Sequence, residues 1–142
     1  MNTKRLIVAS IVVFVFVYLY DWVFHGFILK DAYIQTASLW RPQQEMMNYM
    51  GFLVFGEFLR SVVFCLLYAF RPGHRDGVGA GIGYGVLIAS LLIGTDFITY
   101  AVQPLPLSLI GSWAIGGLIQ LLVAGALLGA IYRPAAPVSP SA

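Results

Sequence analysis

The chain reads as four long apolar runs separated by short polar interruptions. The runs are Leu6 to Leu29, Tyr49 to Phe70, Val78 to Val102 and Leu107 to Tyr132. Each reaches the roughly 20 residues that a helix needs to cross about 30 Å of hydrocarbon. None alternates polar and apolar positions as a barrel strand does. Inside lipid, backbone groups must find partners within their own segment, which favours helix. The pattern predicts an all-α membrane protein, a four-transmembrane-helix bundle with helices over about 6–29, 43–70, 78–102 and 107–132. These form one domain, 1–133, followed by a Pro/Ser/Ala tail, 134–142, expected to be disordered.

The longest connection runs from Lys30 to Asn48. Tyr33, Ala37 and Trp40 recur there at helical spacing, which predicts a short interfacial helix between helices one and two. Tyr33, Trp40 and Arg41 are its candidate interface anchors, Trp40 as part of an aromatic belt. Pro42 suits a first helical residue, so helix two can begin there and project above the lipid. The segment Arg71-Pro72-Gly73-His74-Arg75-Asp76-Gly77 is rich in helix breakers and reads as a turn.

Composition supports the same solvent. The 142 residues are 60% hydrophobic and only 10% charged, against roughly 25% charged in a soluble domain. Mean hydropathy is +0.86. A formal net charge of +2 with no basic run beyond Lys4-Arg5 excludes a nucleic-acid partner. Cys65 is the sole cysteine, so there is no internal disulfide and no cysteine metal cage. The first run carries a basic start like a signal peptide. It is too long for one, and Asp21, Trp22 and His25 stand where a cleavage site belongs, so it reads as a retained helix.

Lys and Arg beside the spans set the expected orientation. Lys4, Arg5, Arg71, Arg75 and Arg133 fall on one side, Lys30 and Arg41 on the other. That bias places both termini in the cytoplasm of a bacterial inner membrane.

Each run also carries a residue that lipid disfavours. Asp21 and His25 share one face of helix one at i and i+4, and Glu57 and Arg60 share a face of helix two at i and i+3. Asp96 lies on helix three. On helix four, Trp113, Gly117, Gln120 and Ala124 form one stripe. At about 1.5 Å per residue, Asp21 lies about 12 Å below the outer surface, His25 about 6 Å, Glu57 about 10 Å, Arg60 about 15 Å and Asp96 about 9 Å. Gln120 falls nearer the midplane. Facing lipid costs an ionisable residue about 2.5–3.5 kcal/mol or more, so these groups are expected to turn inward. They form a candidate buried polar cluster: Asp21, His25, Glu57, Arg60, Asp96 and Gln120.

Three acids with one fixed cation, Arg60, leave charge uncompensated. A buried carboxylate in that position takes a proton or finds a cation. Asp21, His25, Glu57 and Asp96 are also an oxygen-and-nitrogen set of the kind zinc, iron or manganese accept, which makes a divalent ion one way to balance the site. No other cofactor is expected.

Glycines supply the remaining pattern. Gly77, Gly81 and Gly85 recur at i, i+4 and i+8 on helix three, and Gly117 and Gly125 lie on helix four. Small residues let membrane helices approach closely, so these read as packing surfaces within the bundle or against another chain. Gly79-Ala80-Gly81-Ile82-Gly83 is no nucleotide loop, since neither a strand nor a lysine flanks it.

Asp21-x-x-x-His25-Gly26, Leu29-Lys30, Tyr33 and Ser38-Leu39-Trp40-Arg41-Pro42-x-x-Glu45-Met46, continued by the glycine-rich third helix and the fourth, resemble a bacterial family of small four-helix membrane proteins. The resemblance covers most of the chain and implies four spans. It brings no activity with it.

Two function classes follow. One is a non-enzymatic structural or accessory component that packs into a membrane assembly through its glycine faces, and the sequence favours it. The other is an oligomeric carrier or channel for a proton, metal ion or small solute at the polar cluster. Both imply the bilayer as partner and a homo-oligomer or larger complex. No nucleophile–base pair indicates an enzyme.

Overall fold

The computed structural model describes residues 2–71 and 77–132. The expected tail, most of the turn after Arg71, and Arg75 and Arg133 of the orientation count lie outside these residues. Among the described residues every element is helical: α1 (Thr3–Val23), a π-helical turn (Phe24–Ile28), α2 (Lys30–Gln35), a 3-10 turn (Ala37–Leu39), α3 (Gln43–Phe70), α4 (Val78–Val102) and α5 (Leu107–Ile131). Four helices are long and apolar enough to cross a membrane: Thr3–Ile28, Gln43–Phe70, Val78–Val102 and Leu107–Ile131. The protein is a four-helix bundle of the multi-pass membrane type, with a short helical element between the first two spans.

Two boundaries differ from expectation for local reasons. Pro42 is the cap of α3 and not its first residue. Its backbone is extended (φ −52°, ψ 141°), and its carbonyl accepts from Glu45 and Met46 N–H at 2.9 and 3.0 Å. The end of the first span widens to a π-turn, in which Leu29 N–H reaches back to Phe24 C=O at 2.9 Å. Such single π-turns insert a residue into a helix and re-aim the side chains beyond it.

The tightest pairing is α4 against α5, which run antiparallel. Gly81 lies against the Gly125 carbonyl, Gly85 against Leu121 C=O, and Gly129 against Gly77 C=O. A Cβ at Gly81, Gly85, Gly125 or Gly129 would collide with main chain of the opposite helix. The glycine register is therefore an internal seam. Of the expected packing glycines, Gly117 is not part of it and has nothing near its Cα hydrogen. Gly77 takes part through its carbonyl, and its φ of 103° is the one left-handed backbone among the described residues.

α1 packs between α3 and α5. Its buried stripe, Leu6, Ala9, Val13 and Val17, follows helical periodicity. Towards the end that carries both termini, the core is aromatic. Tyr84 donates to Phe64 C=O at 2.8 Å, and its ring lies 4.8 Å from that of Phe64 and 5.2 Å from that of Tyr68. Cys65 is fully buried. At the opposite, loop end, Leu29, Leu105, Leu109 and Ile110 form a second small core.

Candidate functional site

Between these two cores, α1, α3, α4 and α5 enclose a partly open cleft of about 280 Å³. Arg60 is its hub. Nη2 of Arg60 donates to Asp21 Oδ2 at 2.9 Å and to Glu57 Oε2 at 2.8 Å, and reaches Gln120 Oε1 at 3.4 Å. Gln120 Nε2 donates to Asp21 Oδ1 at 2.6 Å and also faces Val17 C=O at 3.4 Å. Asp21 is thus held from both oxygens, by a cation on α3 and an amide on α5. Gln120 is buried, with 3% exposure, so its two amide contacts satisfy a group that could not otherwise be placed there. Arg60 and His25 are more open, at 41% of their side-chain surface, than Asp21 at 18% and Glu57 at 15%.

His25 continues the network towards the loop end. Its Nε2 stands 3.8 Å from Asp21 Oδ1, and its Nδ1 lies 2.6 Å from Tyr33 Oη. Trp113 Nε1–H donates to the same phenol oxygen at 2.9 Å. Trp113 can only donate, so the phenol oxygen accepts from it and shares a second hydrogen bond with His25 Nδ1, whose direction follows the imidazole tautomer. Burial pushes the Tyr33 phenol up from its ordinary value, the Trp113 hydrogen bond works against this, and the Asp21 charge adds to the rise. The mouth is fastened further by Trp40, which donates to Thr36 Oγ1 at 2.8 Å and stands edge-on to Tyr33 at 5.5 Å. Tyr33 and Trp40 are half-buried and both contact Trp113 of α5, which ties the interfacial element to the bundle. Arg41 instead covers the Tyr49 ring, 4.0 Å from its centroid.

The structure brings Asp21, Glu57, Arg60 and Gln120 to one point, with His25 adjoining. Gln120 belongs to the network directly, since α5 enters beneath the interfacial element and its middle comes level with Asp21. Asp96 is different. The α4·α5 register, Gly85 against Leu121 and Gly81 against Gly125, sets Asp96 opposite Ile110, one turn of α5 towards the loop end from Trp113. That is about 15 Å along the axis from Gln120. Asp96 lines the same cleft, yet has no hydrogen-bond or ion-pair partner among the described residues. The expectation that Asp21, His25, Glu57 and Asp96 share one layer is therefore corrected to a cluster of three helices with Asp96 standing above it.

The four-ligand metal set is corrected with it. Among the described residues, no three of His, Cys, Asp and Glu come together as metal ligands. The Arg60 guanidinium occupies the place between Asp21 and Glu57 that a cation would need, and Asp96 lies too far along α4.

No protein-family model, curated protein or solved structure matches this chain.

Three contributors were not singled out by pattern. Phe24, in the π-turn, stacks on Tyr20 at 5.6 Å and seats its ring against Gly116. Tyr20 donates to Gly116 C=O at 2.9 Å. Ser61 is buried beside Arg60, and its hydroxyl has no hydrogen-bond partner among the described residues. None of the three had a usable signal, whereas Trp113 stood on the Gln120 stripe.

Proposed function

We propose that this is a multi-pass inner-membrane protein, both termini cytoplasmic, that carries a proton or small polar solute by way of the cleft between α1, α3, α4 and α5. The observation that carries this reading is the joined Asp21–Arg60–Glu57–Gln120 network, set within membrane-length helices and open on one side. Charged groups inside a membrane normally face a wet cavity or one another, and here they meet one another beside a cleft that is open on one side. The packing function that the sequence favours loses its main support, because Gly81, Gly85 and Gly125 are occupied by internal contacts.

Cysteine labelling tests the reading. Gly117 lines the cleft and has room for a larger side chain. In a Cys65→Ala background, Gly117→Cys should react with a membrane-impermeant maleimide added from the loop side. Gly83→Cys, on an exposed face of α4, should not react. A Gly117→Cys thiol as inert as the Gly83→Cys thiol removes the hydrated cleft and the proposal with it.

An accessory role keeps one observation in its favour. Gly79, Gly83 and Gly94 share an exposed face of α4 with nothing packed against them, which supports the approach of another helix. Native mass measurement from detergent separates the two. A symmetric homo-oligomer fits a carrier, whereas a stable complex with a different chain fits an accessory subunit.

A further inference from the structure

The cleft contains one charge that the rest of the chain leaves alone. Arg60 is spent on Asp21 and Glu57, and Gln120 completes Asp21. Asp96 has no partner among the described residues. The cleft is lined by two carboxylates, Asp21 and Asp96, against one guanidinium, Arg60. Its field therefore draws a cation and repels an anion.

The wall opposite Asp96 selects the kind of cation. By the glycine register Asp96 lies opposite Ile110, one turn of α5 from Trp113, and Asp96, Trp113, Phe24 and Tyr20 line the same cleft. An indole face near a carboxylate, away from bulk water, is the arrangement that holds organic ammonium groups. A divalent metal would need several convergent oxygens, and no such set exists among the described residues. A proton alone would use none of the cleft's 280 Å³.

We infer that the cleft is a binding site for a small monovalent organic cation, an alkyl- or quaternary ammonium seated between the Asp96 carboxylate and the Trp113 ring. The inference rests on the hydrated-cleft reading above and names the solute class for it. Asp96 supplies the counter-charge. Trp113 supplies the aromatic face while its N–H stays on Tyr33.

The experiment is calorimetry on the full chain in nanodiscs, with tetramethylammonium chloride as the probe and sodium chloride at the same ionic strength as the reference. Saturable heat with tetramethylammonium and none with sodium is expected. Asp96→Asn conserves size and loses no internal contact, so it should fold as the parent does and bind about tenfold more weakly or worse. Trp113→Leu should weaken binding by about three- to thirtyfold, and Trp113→Phe, which keeps a ring, by less. Binding that is absent, or unchanged in Asp96→Asn, overturns the inference. If Gly117→Cys is nevertheless labelled, the hydrated cleft stands and only the solute class falls. If Gly117→Cys is inert, both fall together.

Discussion

The two halves of this bundle solve the same packing problem in opposite ways. Towards the termini, α4 and α5 touch through main chain, with Gly81, Gly85, Gly125 and Gly129 removing every side chain from the seam. Towards the loops the same two helices line a cleft. The stripe of α4 on the cleft side of the seam reads Gly81, Gly85, Ala89, Leu92, Asp96 in chain order, so side-chain bulk rises from glycine to Leu92 and the stripe ends on a charged Asp96. On α5 the two glycines nearer the loop end leave the seam: Gly117 has nothing within 4 Å of a Cβ, and Gly116 receives the Phe24 ring of α1. A membrane helix pair has little hydrophobic drive to close, so shape at the interface decides how near the axes come. Where the shape is glycine the bundle seals, and where it is Leu92, Asp96 and Trp113 it leaves polar room.

The largest effect should come from breaking the sealed half. Gly85→Val would drive a branched side chain into the Leu121 carbonyl, which is main chain and cannot rotate away. A cost of about 3 kcal/mol, the upper end for overpacking, is expected, read as a lower midpoint in thermal unfolding in detergent. Gly83→Val is the control, since nothing lies within 4 Å of a Cβ there. It should change stability by no more than about 0.5 kcal/mol, the propensity difference between the two residues. Equal behaviour of the two variants would mean that the seam is not what distinguishes the halves.

The open half should fail differently, through charge. Arg60→Met removes the one cation shared by Asp21 and Glu57 and leaves both carboxylates facing each other. Breaking a fully buried pair costs about 3–5 kcal/mol, and the partial exposure of Arg60 lowers this to about 2 kcal/mol. Adding Asp21→Asn and Glu57→Gln to Arg60→Met should restore most of the loss, because the desolvated charges go with it. Failure of the triple variant to recover would assign Arg60 a packing role through its aliphatic stem and remove the electrostatic account of the cleft.

The contrast between the halves also separates what was legible in the sequence from what was not. Span number and type were readable because lipid imposes length and apolarity on every helix, and the four runs meet both. The tendency of Asp21, Glu57 and Gln120 to turn inward was readable for the same reason, as an energetic necessity of each residue alone. Their relative heights were not. Depth was counted from the ends of the apolar runs, whereas α1 ends in a π-turn that shifts the count beyond Val23. Register between helices depends on which glycine meets which carbonyl, and no single run encodes that. The metal set failed on this point, because face and depth placed four ligands together while register placed Asp96 opposite Ile110 and Arg60 took the place between Asp21 and Glu57. Tyr33 was legible as an interfacial aromatic, but its partners, eight and eighty residues away, were not.

The smallest expected effect concerns that Tyr33 latch, where the open half is fastened by hydrogen bonds instead of main-chain contact. Tyr33→Phe leaves Trp113 N–H and His25 Nδ1 without their shared partner, at a cost of about 1 kcal/mol for part-buried groups. The pH dependence carries a sign that a packing defect would not. Burial holds the folded-state pKa of Tyr33 above its ordinary value of 10.0. The folded state therefore keeps this proton more tightly than the unfolded state does. The corresponding stability is complete below the unfolded value and is lost as pH rises through the folded one. Unfolding midpoints of parent and Tyr33→Phe should hence differ by a constant amount from neutral pH to about 9 and converge at higher pH. A gap that stays constant through the alkaline range would show that the phenol proton takes no part in holding α2 to α5. The open half would then be closed at its mouth only by the packing of Leu29 on Leu105, Leu109 and Ile110.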